Sequence, residues 1–414
     1  PTAHTGDCVA RVVTNWTLPA TPLDALNPFL ADNADAAALR GACDERRDDG
    51  AVCFDRPAVG SGLAAVAPGL FVGVTDQGPN QNCGQLAALD GGRAYPAAAG
   101  KTGKGFPVPA FAPTLVYFTL TPGGGAVDVV RSVPLAGTDG TPVTGLPNTA
   151  RDDTPYAAGC GGEPLAYDVG GLDTEDVAPI PGTDLLVLVE EYAPSVVLVH
   201  GLTGRILARY VPARLAAELS AAPYPVIGAL PDVLLHRRKN RGLEALAVAA
   251  DGRSLLAVVQ SPLGSTADAG LVDNVVIRVV RMAIHVDARD AARLVYDGMF
   301  AIEGSPPAAY TVAPNRAADL KYSAAAGLAD GGFLVLERAA AQVKLFRVDI
   351  TAATTRLDGT QYGGNDTALE RDTNGARSLA SVGVTPLRKV LVWDSARTAG
   401  GTDAWASAAK QEGL

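Results

Sequence analysis

The sequence predicts an all-β fold, arranged as a single β-propeller of about six blades, with five to seven allowed by the repeat spacing. Three observations support this: short apolar runs bounded by turn residues, a repeated hairpin element, and an acidic residue that recurs within the repeat. Of the 414 residues, 46 are glycine and 29 are proline. That many turn-forming residues exclude a helical bundle, and an apolar fraction of 48% excludes a disordered chain.

The apolar runs have the length and the boundaries of β-strands. Each run is roughly four to seven residues long and is bounded by Gly, Pro, Asp or Asn. Strands are predicted at residues 185–189, 196–199, 255–259, 275–280, 333–336 and 390–393. Helical spacing is confined to residues 31–41 and 211–221, where we expect helices.

The repeated element is a hairpin. It begins at a leucine-containing entry and continues through small or polar residues to an Asp-Gly or Pro-Gly turn, where glycine adopts the positive φ that the turn requires. Copies run over residues 60–76, 171–190, 242–260 and 324–337, and residues 411–414 resemble the start of another. This spacing leaves room for four-stranded blades whose first strands line a channel. The alternative is a set of sandwich domains, which gives no reason for a recurring acid.

Acidic and amide side chains recur at two places in the hairpin. After the entry leucine stand Glu175, Glu244 and Glu412, and at the strand end stand Asp76, Glu190 or Glu191, Gln260 and Glu337. If first strands line the channel, these groups converge at one mouth, where carboxylates need a cation such as Ca²⁺. The predicted calcium ligands are Asp76, Glu175, Glu191 and Glu244. The alternative is that each glutamate accepts backbone hydrogen bonds from the neighbouring blade and is structural.

A basic run at residues 236–241 precedes the Glu244 copy. Arg237, Arg238 and Arg241 are predicted to bind a phosphorylated or carboxylated ligand, with Lys321 and Arg338 adjoining, because guanidinium groups match such oxyanions. The alternative is a solvated loop. The four histidines have no metal-site spacing and no G-x-S-x-G motif occurs, which argues against a serine triad. Ser195 is either an exposed serine or a turn residue.

The cysteines and sequons indicate a secreted protein, extracellular or periplasmic. None of the cysteines has metal-site spacing, so disulfides are expected, with one thiol left over. The candidates are Cys8, Cys43, Cys53, Cys83 and Cys160, of which Cys43 and Cys53 bracket a polar loop and are expected to staple a hairpin. Sequons at Asn15 and Asn365 predict N-glycosylation. The start at Pro1 suggests a processed chain.

Charge and hydropathy exclude two classes of partner. The formal net charge is −10 and no long basic stretch interrupts the acidity, which argues against binding to nucleic acid. No apolar run approaches the roughly 18 residues that a membrane span requires. The expected partner is an anionic small molecule or an extracellular protein assembly.

Five segments, in order, resemble the secreted phytase-like family ("esterase-like activity of phytase"). They are residues 60–63 with 75–80, residues 171–176 (similar to G-L-D-x-E-G), residues 190–195 (similar to D-E-Y-G-P-S), residues 240–247 with 260–263 (similar to N-R-G-x-E-G-L-A and Q-S-P-L), and residues 334–338 with 344–349. The chain departs from these patterns at Asp176, Ala193 and Ala245, where the family has glycine. These positions are expected to leave less room for a ligand to approach.

From the cysteines we expect a disulfide-stapled extension over residues 1–56 that packs on the propeller, and from the repeat start at residues 411–414 we expect a truncated last blade. The resemblance implies a β-propeller over residues 57–414. It also implies a hydrolase-type activity. We therefore expect a calcium-dependent hydrolase of phosphoesters or other esters. The alternative is a non-enzymatic extracellular propeller, a structural or partner-binding subunit whose carboxylates are structural. No catalytic residue is assigned at this stage.

Overall fold

The computed structural model describes residues 16–17, 21–44, 57, 59–85, 101–264, 270–287, 292–311, 314, 316–339, 342–375 and 377–397. Within these residues the protein is mostly β and is built from several sheets, as the sequence predicts. All six predicted strands are present. None of the helices in the described part is long and apolar enough to cross a membrane.

Twenty-one strands and four α-helices make up the described secondary structure. The strands are β1 (Trp16–Thr17), β2 (Gly62–Ala67), β3 (Leu70–Val74), β4 (Gln81–Asn82), β5 (Lys104–Phe106), β6 (Thr114–Leu120), β7 (Gly125–Pro134), β8 (Pro155–Ala157), β9 (Thr174–Pro179), β10 (Leu185–Glu190), β11 (Ser195–His200), β12 (Ile206–Pro212), β13 (Val226–Leu230), β14 (Leu243–Val248), β15 (Ser254–Val259), β16 (Val276–Val286), β17 (Ala292–Glu303), β18 (Lys321–Gly327), β19 (Phe333–Ala339), β20 (Gln342–Asp349) and β21 (Arg388–Asp394). The helices are α1 (Leu23–Leu26), α2 (Ala34–Asp44), α3 (Leu215–Glu218) and α4 (Ala368–Asp372).

Four large sheets follow one another along the chain. Their strand orders are β1-β7-β6-β3-β2, β13-β12-β11-β10-β9, β14-β15-β16-β17 and β18-β19-β20-β21, and we call them the first to fourth sheets. A smaller sheet has the order β4-β5-β8. Neighbouring strands within the first hairpin of each large sheet are antiparallel.

The first strands of successive sheets lie side by side. Strand β2 is next to β9, β9 is next to β14, and β14 is next to β18. This is the arrangement expected of consecutive blades. The described residues supply four such sheets, so they do not confirm a ring of six.

The four repeated hairpins predicted from the sequence form the first two strands of the four large sheets. Their turns contain Gly69, Gly182, Gly252 and Gly331, with φ values of 76°, 79°, 68° and 87°. A side chain with a Cβ is strained in this region, so the glycine of the Asp-Gly or Pro-Gly signal is required by the turn. The predicted turn chemistry is confirmed at all four positions.

The hydrophobic core lies in layers between neighbouring sheets. Packing of alternate strand residues buries Val74 and Leu188 between the first and second sheets and Val187 and Leu246 between the second and third. Val258 and Val335 belong to the layer between the third and fourth. The second and third sheets therefore contribute both of their faces to the core, which explains why strands such as β10 and β15 read as continuous apolar runs rather than as alternating ones.

The two predicted helices have different outcomes. Helix α2 confirms the helix expected at residues 31–41, and with α1 it packs Leu23 and Leu39 against Phe111. The helix expected at residues 211–221 is reduced to the four residues of α3. The reason is that Val211 and Pro212 still belong to β12 and pair with β13, so only the residues after them can turn into a helix.

A disulfide joins Cys83 and Cys160, with a Cα–Cα distance of 5.7 Å. It confirms that the cysteines form a disulfide, although the sequence did not specify this pair. Cys43 lies in the last turn of α2. Cys8, Cys53, Asn15 and Glu412 lie outside the described residues, as does the stretch on which the prediction of a truncated last blade depends. Asn365 is exposed on a loop, so its sequon is accessible.

Candidate metal-binding site

Two predicted ligands, Glu175 and Glu244, occupy the same place in neighbouring sheets. In the β9–β10 pair, Thr174 pairs with Glu190 and Asp176 pairs with Val189, so Glu175 has no partner on β10 and forms a β-bulge. In the β14–β15 pair, Leu243 pairs with Val259 and Ala245 pairs with Val258, so Glu244 forms the equivalent bulge. Such bulges redirect a side chain out of the ordinary alternation of a strand. Because β9 and β14 are adjacent, both glutamates lie near the same end of the first strands.

A buried group of three carboxylates lies at this end. One oxygen each from Asp173, Glu175 and Glu191 lie within 4.8 Å of one another. The three residues are 0%, 5% and 0% exposed. The backbone positions them, since the Glu191 amide donates to the carbonyl of Asp173 at 3.0 Å. We call Asp173, Glu175 and Glu191 the carboxylate cluster.

Glu191 contacts a fourth acid, Glu244. The pKa of Glu191 is well above its ordinary value of 4.5, first because the carboxyl is buried and second because the neighbouring charge of Glu244 disfavours its ionisation. Gln260 Nε2 donates to Glu191 Oε1 at 2.8 Å. Within the described part of the chain, Glu191 Oε2 is buried and has no hydrogen-bond donor. An oxygen of this kind is available to a cation.

Asp173 is held from the first sheet. The backbone amide of Gln77 donates to Asp173 Oδ1 at 3.1 Å, and Gln77 Nε2 donates to Oδ2 at 2.7 Å. The Tyr192 hydroxyl in turn donates to Gln77 Oε1 at 2.5 Å. Burial raises the pKa of Asp173 well above its ordinary value, Lys104 opposes that rise, and Glu191 and Asp76 add to it.

The structure separates the predicted ligands into two groups. Glu175 and Glu191 belong to the carboxylate cluster, whereas Glu244 adjoins it through Glu191. Asp76 is half-buried at the periphery, where its Oδ1 accepts a hydrogen bond from the Gly78 amide at 2.8 Å. Asp173 was not predicted. The sequence carries it only as part of the segment over residues 171–176, and the bulge at Glu175 decides which side chains there lie together.

Two strand-end acids expected at the same mouth lie elsewhere. Glu190 is fully buried in an ion pair with Arg209, at 2.5 Å. Glu337 is fully buried and pairs with Lys389 at 2.6 Å. Ser195 is also buried and donates to Glu190 Oε1 at 2.7 Å. It is therefore part of a structural network inside the second sheet and is not an exposed nucleophile.

A carboxylate does join neighbouring sheets through the backbone, but it is Asp176. Its Oδ2 accepts a hydrogen bond from the amide of Leu246, on β14, at 2.7 Å. Its Oδ1 accepts from the amide of Val177 at 2.8 Å. We had considered that the repeated glutamates accept backbone hydrogen bonds from the neighbouring sheet. At this boundary Asp176 does so, and it occupies a position where the phytase-like pattern has glycine.

The predicted anion-binding arginines differ in their surroundings. Arg237 is buried, and its guanidinium donates to Asp152 and to the carbonyl of Tyr192. Arg238 and Arg241 are half-buried. Burial and the neighbouring charges of Arg241 and Arg316 lower the pKa of Arg238. Arg237 thus has an acidic partner, whereas Arg241 Nη1 donates to the Ala318 carbonyl at 2.8 Å.

Two further cations, Lys321 and Arg338, lie near Arg241 and the acids. Burial lowers the pKa of Lys321, Arg338 and Arg241 lower it further, and Glu244 opposes the change. Arg338 Nε donates to Ser323 Oγ at 2.7 Å. A positive patch formed by Arg238, Arg241, Lys321 and Arg338 thus adjoins the acids.

The residues present suit a hard divalent cation. The donor set consists of carboxylate oxygens, the ligands that Ca²⁺ prefers. Carboxylates crowded in a buried place are costly unless they are protonated or neutralised. Glu191 Oε2, which lacks a donor, supports an ion at this place. Asp173, Glu175 and Glu191 would hold such an ion, and Glu244 lies next to them.

The sequence profile of the phytase-like family, described as "esterase-like activity of phytase", matches residues 59–414. This chain belongs to the phytase-like family. The resemblance inferred from five short segments is therefore confirmed over nearly the whole chain. No curated protein sequence matches this phytase-like chain at a significant level.

Several solved structures share a distant likeness with this phytase-like chain. A provisionally assigned 6-phosphogluconolactonase of Bacteroides uniformis is 10% identical over 72% of this chain, with a TM-score of 0.30, and the chain spans 55% of that protein. The periplasmic gluconolactonase of Pseudomonas aeruginosa is 14% identical over 72% of this chain and 70% of its own, with a TM-score of 0.30. The Dos1 propeller is 9% identical over 57% and 41%, with a TM-score of 0.24. Likenesses of this size indicate neither an activity nor a blade number.

Proposed function

We propose that this protein is a divalent-cation-dependent hydrolase of anionic esters, with phosphoesters as the first substrate class to test and Ca²⁺ as the expected ion. The observation that carries the proposal is the carboxylate cluster, with its oxygens within 4.8 Å of one another, next to a patch of cations. Membership of the phytase-like family supports the reaction type.

The roles of the chain's own residues follow from their positions. Asp173, Glu175 and Glu191 hold the ion, and Glu244 and Asp76 add negative charge around it. Arg238 and Arg241, with Lys321 and Arg338, bind the anionic group of the substrate, because guanidinium and ammonium groups recognise phosphate oxygens. When bound, a divalent ion polarises a phosphoryl or acyl oxygen and activates water.

The architecture in this proposal is a propeller with more blades than the four sheets that the described residues form. The ion site lies where its first strands converge. The proposal includes secretion and an oxidising compartment, supported by the Cys83–Cys160 disulfide. N-glycosylation at Asn365 is consistent with the exposure of that residue.

Turnover of p-nitrophenyl phosphate and of phytate, measured with calcium and with EDTA, tests the activity. We expect turnover that is lost in EDTA, restored by calcium and abolished by Glu191→Gln. Glu163→Gln is the matched control, since Glu163 is exposed and lies outside the cluster. Equal turnover in EDTA and calcium, or equal turnover of the two variants, would refute the proposal.

A second candidate function is a non-enzymatic extracellular propeller that binds a protein partner. The observation that favours it is that many acids in this region already have protein partners, including both oxygens of Asp173 and both of Asp176. In that case Glu191→Gln would leave every hydrolytic activity unchanged. A protein with no turnover on phosphoesters or carboxylic esters, in the presence of bound calcium, would favour this candidate.

A further inference from the structure

Gln260 occupies the position in the third sheet that Glu191 occupies in the second. Each residue comes directly after the second strand of its sheet, β15 or β10. The Glu191 amide donates to the carbonyl of Asp173, the residue before β9, at 3.0 Å. The Gln260 amide donates to the carbonyl of Gly242, the residue before β14, at 2.9 Å. The repeat therefore places an amide side chain where the neighbouring sheet has a carboxylate of the cluster.

The side chain of Gln260 reaches the cluster across the boundary between the two sheets. Its Nε2 donates to Glu191 Oε1 at 2.8 Å. The residue is 3% exposed. Its backbone carbonyl accepts a hydrogen bond from the amide of Tyr322, on β18, at 2.7 Å. Gln260 is thus held by its backbone on both sides and by its side chain at Glu191.

The amide oxygen of Gln260 lacks a donor. Within the part of the chain that the structure describes, Gln260 Oε1 is buried and accepts no hydrogen bond. With Glu191 ionised, the reverse orientation of the amide would bring two acceptor oxygens together, so the bond to Glu191 Oε1 fixes which atom is left over. A buried carbonyl oxygen without a partner is costly. This oxygen therefore calls for a cation or a donor.

Another buried glutamine, Gln342, shows the usual arrangement. It is 7% exposed. Its Oε1 accepts from the amide of Thr311 at 2.7 Å, and its Nε2 donates to Asp394 Oδ1 at 2.6 Å. Both ends of the Gln342 amide have partners within the fold, whereas only the nitrogen of the Gln260 amide does. The difference points to a ligand on the oxygen of Gln260.

Two buried oxygens without donors, Glu191 Oε2 and Gln260 Oε1, thus belong to side chains that are hydrogen-bonded to each other. Ca²⁺ takes about six to eight oxygen ligands and accepts amide carbonyls among them. An amide oxygen adds a ligand without adding negative charge to crowded acids. Mg²⁺ is smaller and usually keeps several waters, so it gains less from an additional protein ligand.

We propose that Gln260 is a further ligand of the ion at the carboxylate cluster, in which its amide oxygen binds the ion and favours Ca²⁺ over Mg²⁺ while its amide nitrogen positions Glu191. This inference rests on the proposed function, because it requires an ion at the cluster.

Calorimetric titration of CaCl₂ and of MgCl₂ into EDTA-stripped protein tests the proposal on the full chain. Gln260→Met removes both polar atoms at similar size. Gln260→Glu keeps an oxygen at the same place but loses the donor to Glu191. Gln342→Met is the matched control, because it removes a buried amide whose partners lie outside the cluster.

We expect Gln260→Met to bind calcium about tenfold or more weakly than Gln342→Met does. The loss should be smaller for magnesium, so that the ratio of calcium to magnesium affinity falls. Gln260→Glu should bind calcium more tightly than Gln260→Met, because it restores an oxygen for the ion. A residue that served only as a donor to Glu191 would give the opposite result, since glutamate lacks that donor.

Equal calcium affinities of Gln260→Met and Gln342→Met would overturn the inference and leave the proposed function in place. Calcium binding by Gln260→Glu as weak as that of Gln260→Met would overturn the ligand role of the oxygen. Equal losses for calcium and magnesium would overturn the preference for Ca²⁺. An unmodified protein that binds no calcium would overturn the inference and the proposed function together.

Discussion

Glu244, in the bulge of β14, raises the pKa of Glu191, directly after β10, across the boundary between the second and third sheets. Both are almost completely buried, at 0% and 1% exposure. Two acids so placed cannot both be ionised unless a positive charge lies between or beside them. The predictions below follow from this pair and from the contacts that hold it.

Glu191→Gln should make the metal-free protein more stable than the unmodified chain, by an amount that grows with pH. The pKa of Glu191 is raised above its ordinary value of 4.5 in the folded state, chiefly by burial. A carboxyl of this kind stabilises the fold fully below its ordinary pKa, and that contribution is lost as pH rises through the raised pKa. Melting temperatures in EDTA from about pH 5 to about pH 8 measure the difference.

Calcium should abolish that advantage, because a bound cation removes the cost of ionising Glu191. Glu163→Gln is the control, since Glu163 is exposed and lies outside the cluster. A difference between Glu191→Gln and the unmodified protein that shrinks with rising pH in EDTA would refute this prediction.

Asp176→Ala should destabilise the protein by about 1–3 kcal/mol, because the buried amide of Leu246 loses its acceptor. Asp176→Asn keeps an acceptor oxygen for the Leu246 amide but turns its NH₂ group toward the Val177 amide, so it should recover only part of the loss. Chemical denaturation of both variants gives the free energies of unfolding. If alanine and asparagine have equal effects, the hydrogen bond between the second and third sheets is not what Asp176 contributes.

Gly242→Ala should destabilise the protein by about 1–3 kcal/mol through overpacking. A Cβ at Gly242 would lie 2.4 Å from the carbonyl oxygen of Glu191, so β14 has to move away from the cluster. Calcium affinity should fall as well. The control is Gly161→Ala, where a Cβ meets nothing within 4 Å, and whose effect should stay within about 0.5 kcal/mol. Equal stabilities of these two variants would contradict the close packing.

Arg209→Met should cost about 3–5 kcal/mol of unfolding free energy, since it leaves the buried Glu190 carboxylate without its cation. The comparison is Arg371→Met, which breaks the exposed ion pair with Asp366 and should cost less than about 1 kcal/mol. Urea denaturation measures both. A small effect of Arg209→Met would show that Glu190 is protonated or otherwise satisfied in the fold.

Much of the fold was predictable because local signals are strong where strands and turns are short. Gly69, Gly182, Gly252 and Gly331 mark hairpins that the structure contains. The helix predicted over residues 211–221 is confirmed only at Leu215–Glu218, since pairing of Val211 with β13 outweighs its helical spacing. Sheet pairing of this kind depends on residues distant in sequence and cannot be inferred from local periodicity.

The candidate site was predictable in part for the same reason. Repetition identified Glu175 and Glu244 as equivalent, and the bulges give them equivalent positions. It did not identify Asp173, whose carboxylate is held by Gln77, a residue outside the repeats. The repeat also could not show whether Glu190 or Glu191 belongs to the cluster. The choice depends on where β10 ends, and it ends at Glu190, so that Glu191 joins the cluster.

The central claim is that the carboxylate cluster binds a divalent cation, and calorimetric titration of CaCl₂ into EDTA-stripped protein tests it most directly. The account predicts saturable binding of one ion, lost in Glu191→Gln and preserved in Glu163→Gln. Absence of saturable binding to the unmodified protein, or equal binding by Glu191→Gln, would contradict it.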